Sequence, residues 1–406
     1  MTMSRSPAPD LAAVLGTGPL TEDVVREHIA PLFSRVRDAQ RDRIYLANHS
    51  LGRPLDATEE DVREGLAAWY ARLSDAWEDW GAEMAVFRAR LAILAGAPRA
   101  DCIVPKTSAG QGLRAVLNSY DRPPRIVVTR GEFDSLDVIL REYARRARVT
   151  LAFVEPDAEG AFAAEDVRAA FAPGADLVIL SQVLFQTGQV MPELPGIVAA
   201  AHAAGARVLL DVYHSLGVLP VDLAALDVDF AVGGSYKYLR GGPGACFLYV
   251  APRHLDAGIG TLDIGWFAKE SPFAYERPDP PRYAGGGDAW LESTPAVLPC
   301  YQARAGQAFV QAVGVARLRA QSLAMQRRLV ALLAEGGVSA RGGTADGGAF
   351  VVVRDSAAQA WAEALEGRGI VTDARGEWLR LCPDVLTTEQ ELQSAAGALA
   401  EIARRS

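Results

Sequence analysis

VLLDVYHSLGVLPVDLAALDVDFAVGGSYKYLRGGPGACFLYV, residues 208–250, decides how this chain is read. Its apolar run VLL ends at Asp211, and a second run, DFAVGGS, ends at Tyr236 and Lys237. Short apolar runs closed by polar or glycine residues read as buried strands, so both polar ends should emerge at a sheet edge. Parallel strands lead their ligands to that edge. Asp211 and Lys237 stand 26 residues apart, room for one strand, a connection and a second strand. Gly241, Gly242, Pro243 and Gly244 follow, and residues without Cβ let backbone pass close to the lysine.

An amine and a carboxylate at one sheet edge are what pyridoxal 5'-phosphate requires. The amine makes its Schiff base, and the carboxylate keeps its pyridine nitrogen protonated. His214, three residues beyond Asp211, is placed to bond the aspartate or the cofactor. Either charge alone would read as a solvated surface group or a turn former. The combined string is more specific: DxxH, then SYKYLxGGPG and FLYV, resembles the cofactor-lysine region of kynureninase, in the class V branch of fold type I pyridoxal phosphate enzymes. The resemblance implies an α/β fold with a mainly parallel, seven-stranded-type sheet in a large domain, plus a small α+β C-terminal domain. It also implies a homodimer with shared active sites.

Composition sets the outer bounds. With 406 residues, half of them apolar, the chain can bury one large core and a smaller one. A net charge of −9 argues against nucleic acid or an anionic membrane as main partner. The four cysteines, Cys102, Cys246, Cys300 and Cys382, are too scattered for a zinc knuckle or a CxxC pair and read as reduced, buried thiols. No metal site is expected. No apolar run reaches membrane-spanning length, and the first residues lack the apolar stretch of a secretion signal, so a cytoplasmic protein is expected.

In chain order, residues 1–20 read as a flexible tail and 21–55 as a segment that joins the small domain and the mouth of the site. IYLANHSLGRP, residues 44–54, resembles the YLDGNSLGxxP loop of kynureninase, with His49 where the family has Asn and Asn48 where it has Gly. Ser50 and His49 are therefore the substrate-side candidates. Residues 56–299 make the large cofactor domain. Within it 56–95 is helical, and Trp69, Tyr70, Trp77 and Trp80 read as core or dimer contacts. DCIVPKTSAGQGL gives a strand and a helix starting near Ser108, where free N–H groups suit a phosphate, making Thr107 and Ser108 its ligands. In GEFDSLD, the resemblance puts Phe133 over the cofactor ring, while the family's acid falls at Leu136.

Further matches lie at SQVLFQTGQ, residues 181–189, at GWF, residues 265–267, and at WLESTP, residues 290–295. The resemblance makes Trp266 and Thr294 groups that close over the cofactor phosphate across a dimer. Residues 270–287, rich in Pro and Gly, carry no regular period and are long enough for a lid. Residues 300–406 make the small domain, beginning with a long helical pattern to 335. Arg380, in EWLRLCP, stands in a string that resembles the family's IRxAPxPLYN and is the candidate anchor for the α-carboxylate of an amino-acid substrate, which a planar guanidinium can hold bidentately.

The activity the resemblance implies is hydrolytic cleavage of the Cβ–Cγ bond of kynurenine or a related β-acyl amino acid, releasing alanine and a carboxylic acid. Lys237 would move the Cα proton, Asp211 would hold the ring nitrogen protonated, and Tyr236 would pass a proton to Cβ and bond the phosphate. A second reading stays open, a class V enzyme of another type acting on a different amino acid in specialised metabolism. An aminotransferase or β-lyase would use the same lysine and aspartate. A desulfurase needs a thiol on a mobile loop, whereas Cys382 falls in the Arg380 strand and Cys300 near a helix start.

Overall fold

The structure is a computed structural model and describes residues 11–405. Its strands are β1 (Ile44–Tyr45), β2 (Ile103–Lys106), β3 (Arg125–Thr129), β4 (Thr150–Val154), β5 (Leu177–Ser181), β6 (Arg207–Asp211), β7 (Phe230–Gly234), β8 (Cys246–Val250), β9 (Val351–Arg354), β10 (Ile370–Val371), β11 (Asp373–Arg375) and β12 (Trp378–Leu381). Seven of them form one sheet in the order β2-β8-β7-β6-β5-β3-β4. The pairs from β7 through β4 are parallel, and β8 alone runs antiparallel to its neighbours β7 and β2. The sheet is mainly parallel, as the resemblance implies.

Helices Ala109–Leu117, Asp134–Arg145, Ala164–Phe171 and Leu194–Ala203 alternate with the strands, which supplies the crossovers that parallel pairing needs. Covered on both faces, β5, β7 and β8 are buried at every residue. That is why their sequences run nearly all apolar instead of alternating. Because the strand order reverses between β5 and β3, the crevice beyond the carboxyl ends of β5, β6 and β7 is where a ligand is expected.

A second hydrophobic core gathers Leu329, Leu333, Val351, Val353, Trp361, Leu379, Leu381 and Leu399. Its sheet is antiparallel in the order β11-β12-β9. Leu46, from the N-terminal segment, belongs to this core, and β1 pairs in parallel with β10. The long helical pattern of residues 300–335 is two helices, Leu298–Val313 and Val315–Glu335, because Gly314 takes a φ of +89° that breaks the run.

Two expectations shift near the N-terminus and the aromatic helix. Within residues 1–20, read as a patternless tail, Leu11–Leu15 is helical, and Leu15 and Leu20 are buried in the large core. Arg317 holds this turn by donating to the carbonyls of Leu15, Gly16 and Gly18. Residues 1–10 of that reading lie outside the described residues. Trp69 and Tyr70 are 54% and 85% exposed, so neither belongs to the core of this chain.

Candidate active site

The carboxyl ends of β5, β6 and β7 open into a cavity lined by Thr107, Ser108, Phe133, Ser181, Phe185, Asp211, Tyr213, His214, Tyr236, Lys237, Gly244 and Cys246. Seven residues named from the sequence therefore meet in one place. Asp211 leaves the last position of β6, and Lys237 follows β7 by three residues. The backbone N–H of Tyr213 donates to Asp211 Oδ1 at 2.8 Å, and the aspartate lines the cavity, so its second oxygen is open to a ring N–H. Burial raises the Asp211 carboxyl to about 6, against the Tyr213 hydrogen bond and the Lys237 charge, which lower it. A cation at the open oxygen would restore the carboxylate.

Lys237 is buried, and desolvation brings its amine down to about 7, with Asp211 pulling the other way. Its Nζ lies 2.6 Å from His214 Nε2. The imidazole is itself pushed well below its ordinary value by burial and by the Lys237 charge. A neutral imidazole accepts a hydrogen bond from the uncharged lysine amine, whose lone pair stays free to attack a carbonyl. His214 thus bonds Lys237 and not Asp211, since its ring packs against Phe350 at 5.8 Å and is turned to the lysine. Its Nδ1 is buried without a partner, which leaves an acceptor or donor for a bound group.

Phe133 forms a wall, its ring centroid 5.8 Å from Lys237 Nζ and edge-on to Phe185 at 5.4 Å. Tyr236 is as near, its ring centroid 5.6 Å from the same nitrogen and 5.5 Å from that of Tyr213. Burial and the nearby Asp211 push the Tyr236 phenol well up, so it keeps its proton.

Ser108 is the N-cap of helix Ala109–Leu117, accepting from Gln111 N at 3.1 Å. Thr107 N–H donates to Gln111 Oε1 at 2.7 Å. Gln111 Nε2 in turn donates to Glu292, which buried Lys106 holds at 2.7 Å. An ordered chain of side chains thus fixes the exposed rim where a phosphate would meet the helix N-terminus. These groups fit pyridoxal phosphate: an amine, an open carboxylate oxygen, an aromatic wall and a helix start surround one cavity.

Five predicted residues lie off this cavity wall. Arg380 is buried behind Phe185, whose carbonyl accepts from Nη1 at 2.5 Å. Its Nε and Nη2 donate to the two oxygens of Asp373 at 2.7 and 2.5 Å. His49 is fully buried, 2.7 Å from Asp373 Oδ1 and 5.1 Å from the Phe350 ring that His214 also touches. Burial lowers its imidazole to about 4. Trp266 Nε1 donates to Thr294 Oγ1 at 3.1 Å, which joins those two residues to each other and not to this cavity. Ser50 is exposed, its N–H on the Ala47 carbonyl. The 44–54 loop nevertheless reaches the site: Gly52 N–H donates to the Tyr236 carbonyl at 2.7 Å, and a Cβ on Gly52 would stand 1.9 Å from the Lys237 carbonyl oxygen.

The sequence reading missed Ser181, Tyr213 and Phe185, which line the cavity, and Asp373, which grips Arg380. Ser181 carried a signal, being the polar end of the apolar run LVILS just as Asp211 ends VLL. Among the described residues, no group of three or more His, Cys, Asp or Glu could hold a metal ion, and no helix is long and apolar enough to cross a membrane.

The chain is similar to known proteins. The family described as Aminotransferase class-V matches residues 53–383. A kynureninase of Salinispora tropica is 32% identical over 312 residues, 71% of each chain. One of Deinococcus radiodurans is 31% identical over 306 residues, 73% of this chain and 72% of its own. Among solved structures, an apo cysteine desulfurase of Thermococcus onnurineus superposes with a TM-score of 0.78 at 19% identity, covering 92% of this chain and 98% of its own. The cystine C–S lyase C-DES gives 0.78 at 23% identity, covering 90% and 99%. At such identities these structures speak for the fold alone. With Lys237, Asp211 and a helix N-terminus about one cavity, and the family match spanning most of its length, the chain belongs to the class V aminotransferase family as a divergent, kynureninase-like member that uses pyridoxal 5'-phosphate.

Proposed function

We propose that this protein hydrolyses the Cβ–Cγ bond of kynurenine or a related β-acyl amino acid, releasing alanine and a carboxylic acid. The observation that carries the reading is the Lys237–His214 contact beside open Asp211, in a chain whose curated relatives are kynureninases. When bound, pyridoxal phosphate supplies an electron sink for bond breaking at Cα and Cβ.

The residues divide the remaining work. Asp211 holds the ring nitrogen, Thr107 and Ser108 hold the phosphate, and Phe133 fixes the ring plane by stacking. Lys237 Nζ, near neutrality and bonded to His214, takes a proton from Cα and returns it to a neighbouring carbon. Tyr236 Oη keeps its proton until Cβ needs one. Arg380 anchors the α-carboxylate. Asp373 and the Phe185 carbonyl use three of its N–H groups, and the others remain for a substrate. His49 and Ser50 are the substrate-side residues of the altered loop.

The proposal includes a homodimer in which Trp266 and Thr294 face the partner's cavity. Trp266 belongs to a run of rings with Phe267, Phe273 and Tyr275, and Phe273 and Tyr275 are 49% and 72% exposed. Covering such a patch with a second copy would remove it from water. The desulfurase alternative is disfavoured by the thiols. Cys102, Cys246, Cys300 and Cys382 are all buried, and burial raises them to about 11, 11, 12 and 12.

The test is an absorbance titration of the cofactor-loaded protein with kynurenine and 3-hydroxykynurenine, with alanine assayed and Lys237→Ala as control. Alanine together with an anthranilate product supports the reading. A spectral change without alanine would keep the cofactor site and reject the hydrolysis. That outcome would favour an aminotransferase substrate.

A further inference from the structure

The loop after β3 carries one buried acid, and it is not where the family pattern puts one. Leu136, at the family's acid position, is fully buried among apolar side chains. Asp134 is exposed, and Asp137 is paired with Arg141. Glu132 is 4% exposed, directly precedes Phe133, and has both oxygens engaged. Thr129 Oγ1 and Ser181 N–H donate to Oε1 at 2.7 and 3.1 Å, and Ser181 Oγ donates to Oε2 at 2.6 Å. None of these donors carries a charge. A buried carboxyl held only by neutral donors is costly when ionised, so its presence at a cofactor site calls for a reason.

The sheet register supplies one. Ser181 and Asp211 are partners across β5 and β6, side by side at the carboxyl edge, and both line the cavity. Ser181 thus connects Glu132 to the position where Asp211 meets the ring nitrogen. We propose that Glu132 is a positioning residue that tunes this edge, a second protonatable carboxyl set behind Asp211 that keeps the cofactor's ring nitrogen protonated. The inference rests on the ring nitrogen lying at Asp211.

The electrostatics follow from the arrangement. The titratable group felt by Glu132 is Asp211, which is felt in turn by Lys237. Arg130, beside Glu132 in sequence, turns away to Glu155 and the Phe153 ring. Burial raises the Glu132 carboxyl to about 7, and the Asp211 charge adds to the rise. Without a cation the two acids resist ionising together. A protonated ring nitrogen between Asp211 and the cavity lowers both, and Glu132 then adds negative potential that opposes loss of the ring proton.

The experiment loads the full protein with pyridoxal phosphate labelled with 15N in the ring and follows its chemical shift with pH. Compared with wild type, E132Q keeps the acceptor oxygen and the shape but loses the charge. The expected result is a ring-nitrogen midpoint about one pH unit lower in E132Q, a tenfold weaker hold on the proton, with E132D near wild type. Identical midpoints in wild type and E132Q would overturn the proposal, because a role limited to holding the Phe133 loop leaves the ring nitrogen unmoved. Should E132Q not hold the cofactor, S181A takes its place: it removes the hydroxyl donor to Oε2, so that Glu132 ionises less readily, and leaves the backbone bond to Oε1. A lowered midpoint in S181A supports the inference and an unchanged one overturns it.

Discussion

Lys237 and Arg380 are both buried cations with a carboxylate close by, yet the protein treats them in opposite ways. Around Lys237 partners are left incomplete: Asp211 keeps one oxygen open, His214 keeps a bare Nδ1, and the lysine, Asp211 and Glu132 are all drawn toward neutrality. Around Arg380 the charges are paired: its guanidinium holds both oxygens of Asp373, which His49 also bonds. Despite burial, which opposes it, the hydrogen bonds from His49 and Arg380 hold the Asp373 carboxyl well below its usual range. One region has protons to move, and the other has fixed charges that hold a substrate still. Catalysis needs both, since a group that shuttles a proton makes a poor anchor.

The largest effect is expected from Lys237→Ala, which removes the proton carrier. Alanine release should fall about 10³-fold, while near-ultraviolet circular dichroism of the protein stays native. Arg380→Ala comes next and should act on folding as well as binding. Leaving Asp373 without its buried partner costs about 3 kcal/mol, read as a lower denaturant midpoint. Asp373→Asn separates those effects. With the guanidinium still present but less firmly held, KM should rise about tenfold, or about 1.4 kcal/mol, and kcat should change little. An Asp373→Asn protein with unchanged KM would break the contrast between the two regions.

The pH dependence of the cofactor-free protein sharpens it. Glu132 and Asp211 have folded-state values raised above their ordinary 4.5 and 3.8, so the fold binds their protons more tightly than the unfolded chain does. Their contribution is fully present below those ordinary values and is lost as pH rises through about 6 for Asp211 and about 7 for Glu132. Asp373, held low, works the other way: its contribution is present above 3.8 and is lost only in stronger acid. Lys237, His214 and His49, held low, raise stability with pH and oppose this, so the check is a difference: from pH 5 to 8 the melting temperature of wild type should fall relative to that of Glu132→Gln. The smallest effect is expected from Cys382→Ser, whose hydroxyl can still donate to the Ala349 carbonyl as the thiol does at 3.1 Å. Turnover should stay within about twofold, whereas a catalytic thiol at this position would make the loss complete.

The Lys237 region was the legible one, because its information is local. The length of an apolar run and the polar residue that closes it sit within a few positions, and both survive folding as a strand and its end. The helix start at Ser108 was legible for the same reason. The Arg380 wall was not, because its logic is a pairing across distance. His49 meets Asp373 across 324 residues, and nothing near Asp373 in sequence marks it as the partner. Glu132 stood inside the quoted GEFDSLD string, yet its link to Ser181 spans 49 residues and comes from the crossover that sets β3 beside β5. The exposed faces of Trp69 and Tyr70 escaped too, since helical spacing tells which residues share a side but not what covers it.

The antiparallel strand of the seven-stranded sheet carries a consequence for how the protein is made. β8, residues 246–250, pairs with β2 on one side and β7 on the other, so the phosphate rim after β2 and the lysine after β7 are brought into register by the same five residues. A ribosome has synthesised the rim long before it reaches that strand. Until then the edge of β7 is unpaired and apolar, a state open to association with other chains. Completion of the site is therefore tied to a late and distant contact, the kind that slows folding. Nascent chains halted before residue 246 would hold both the rim and Lys237 with nothing to join them.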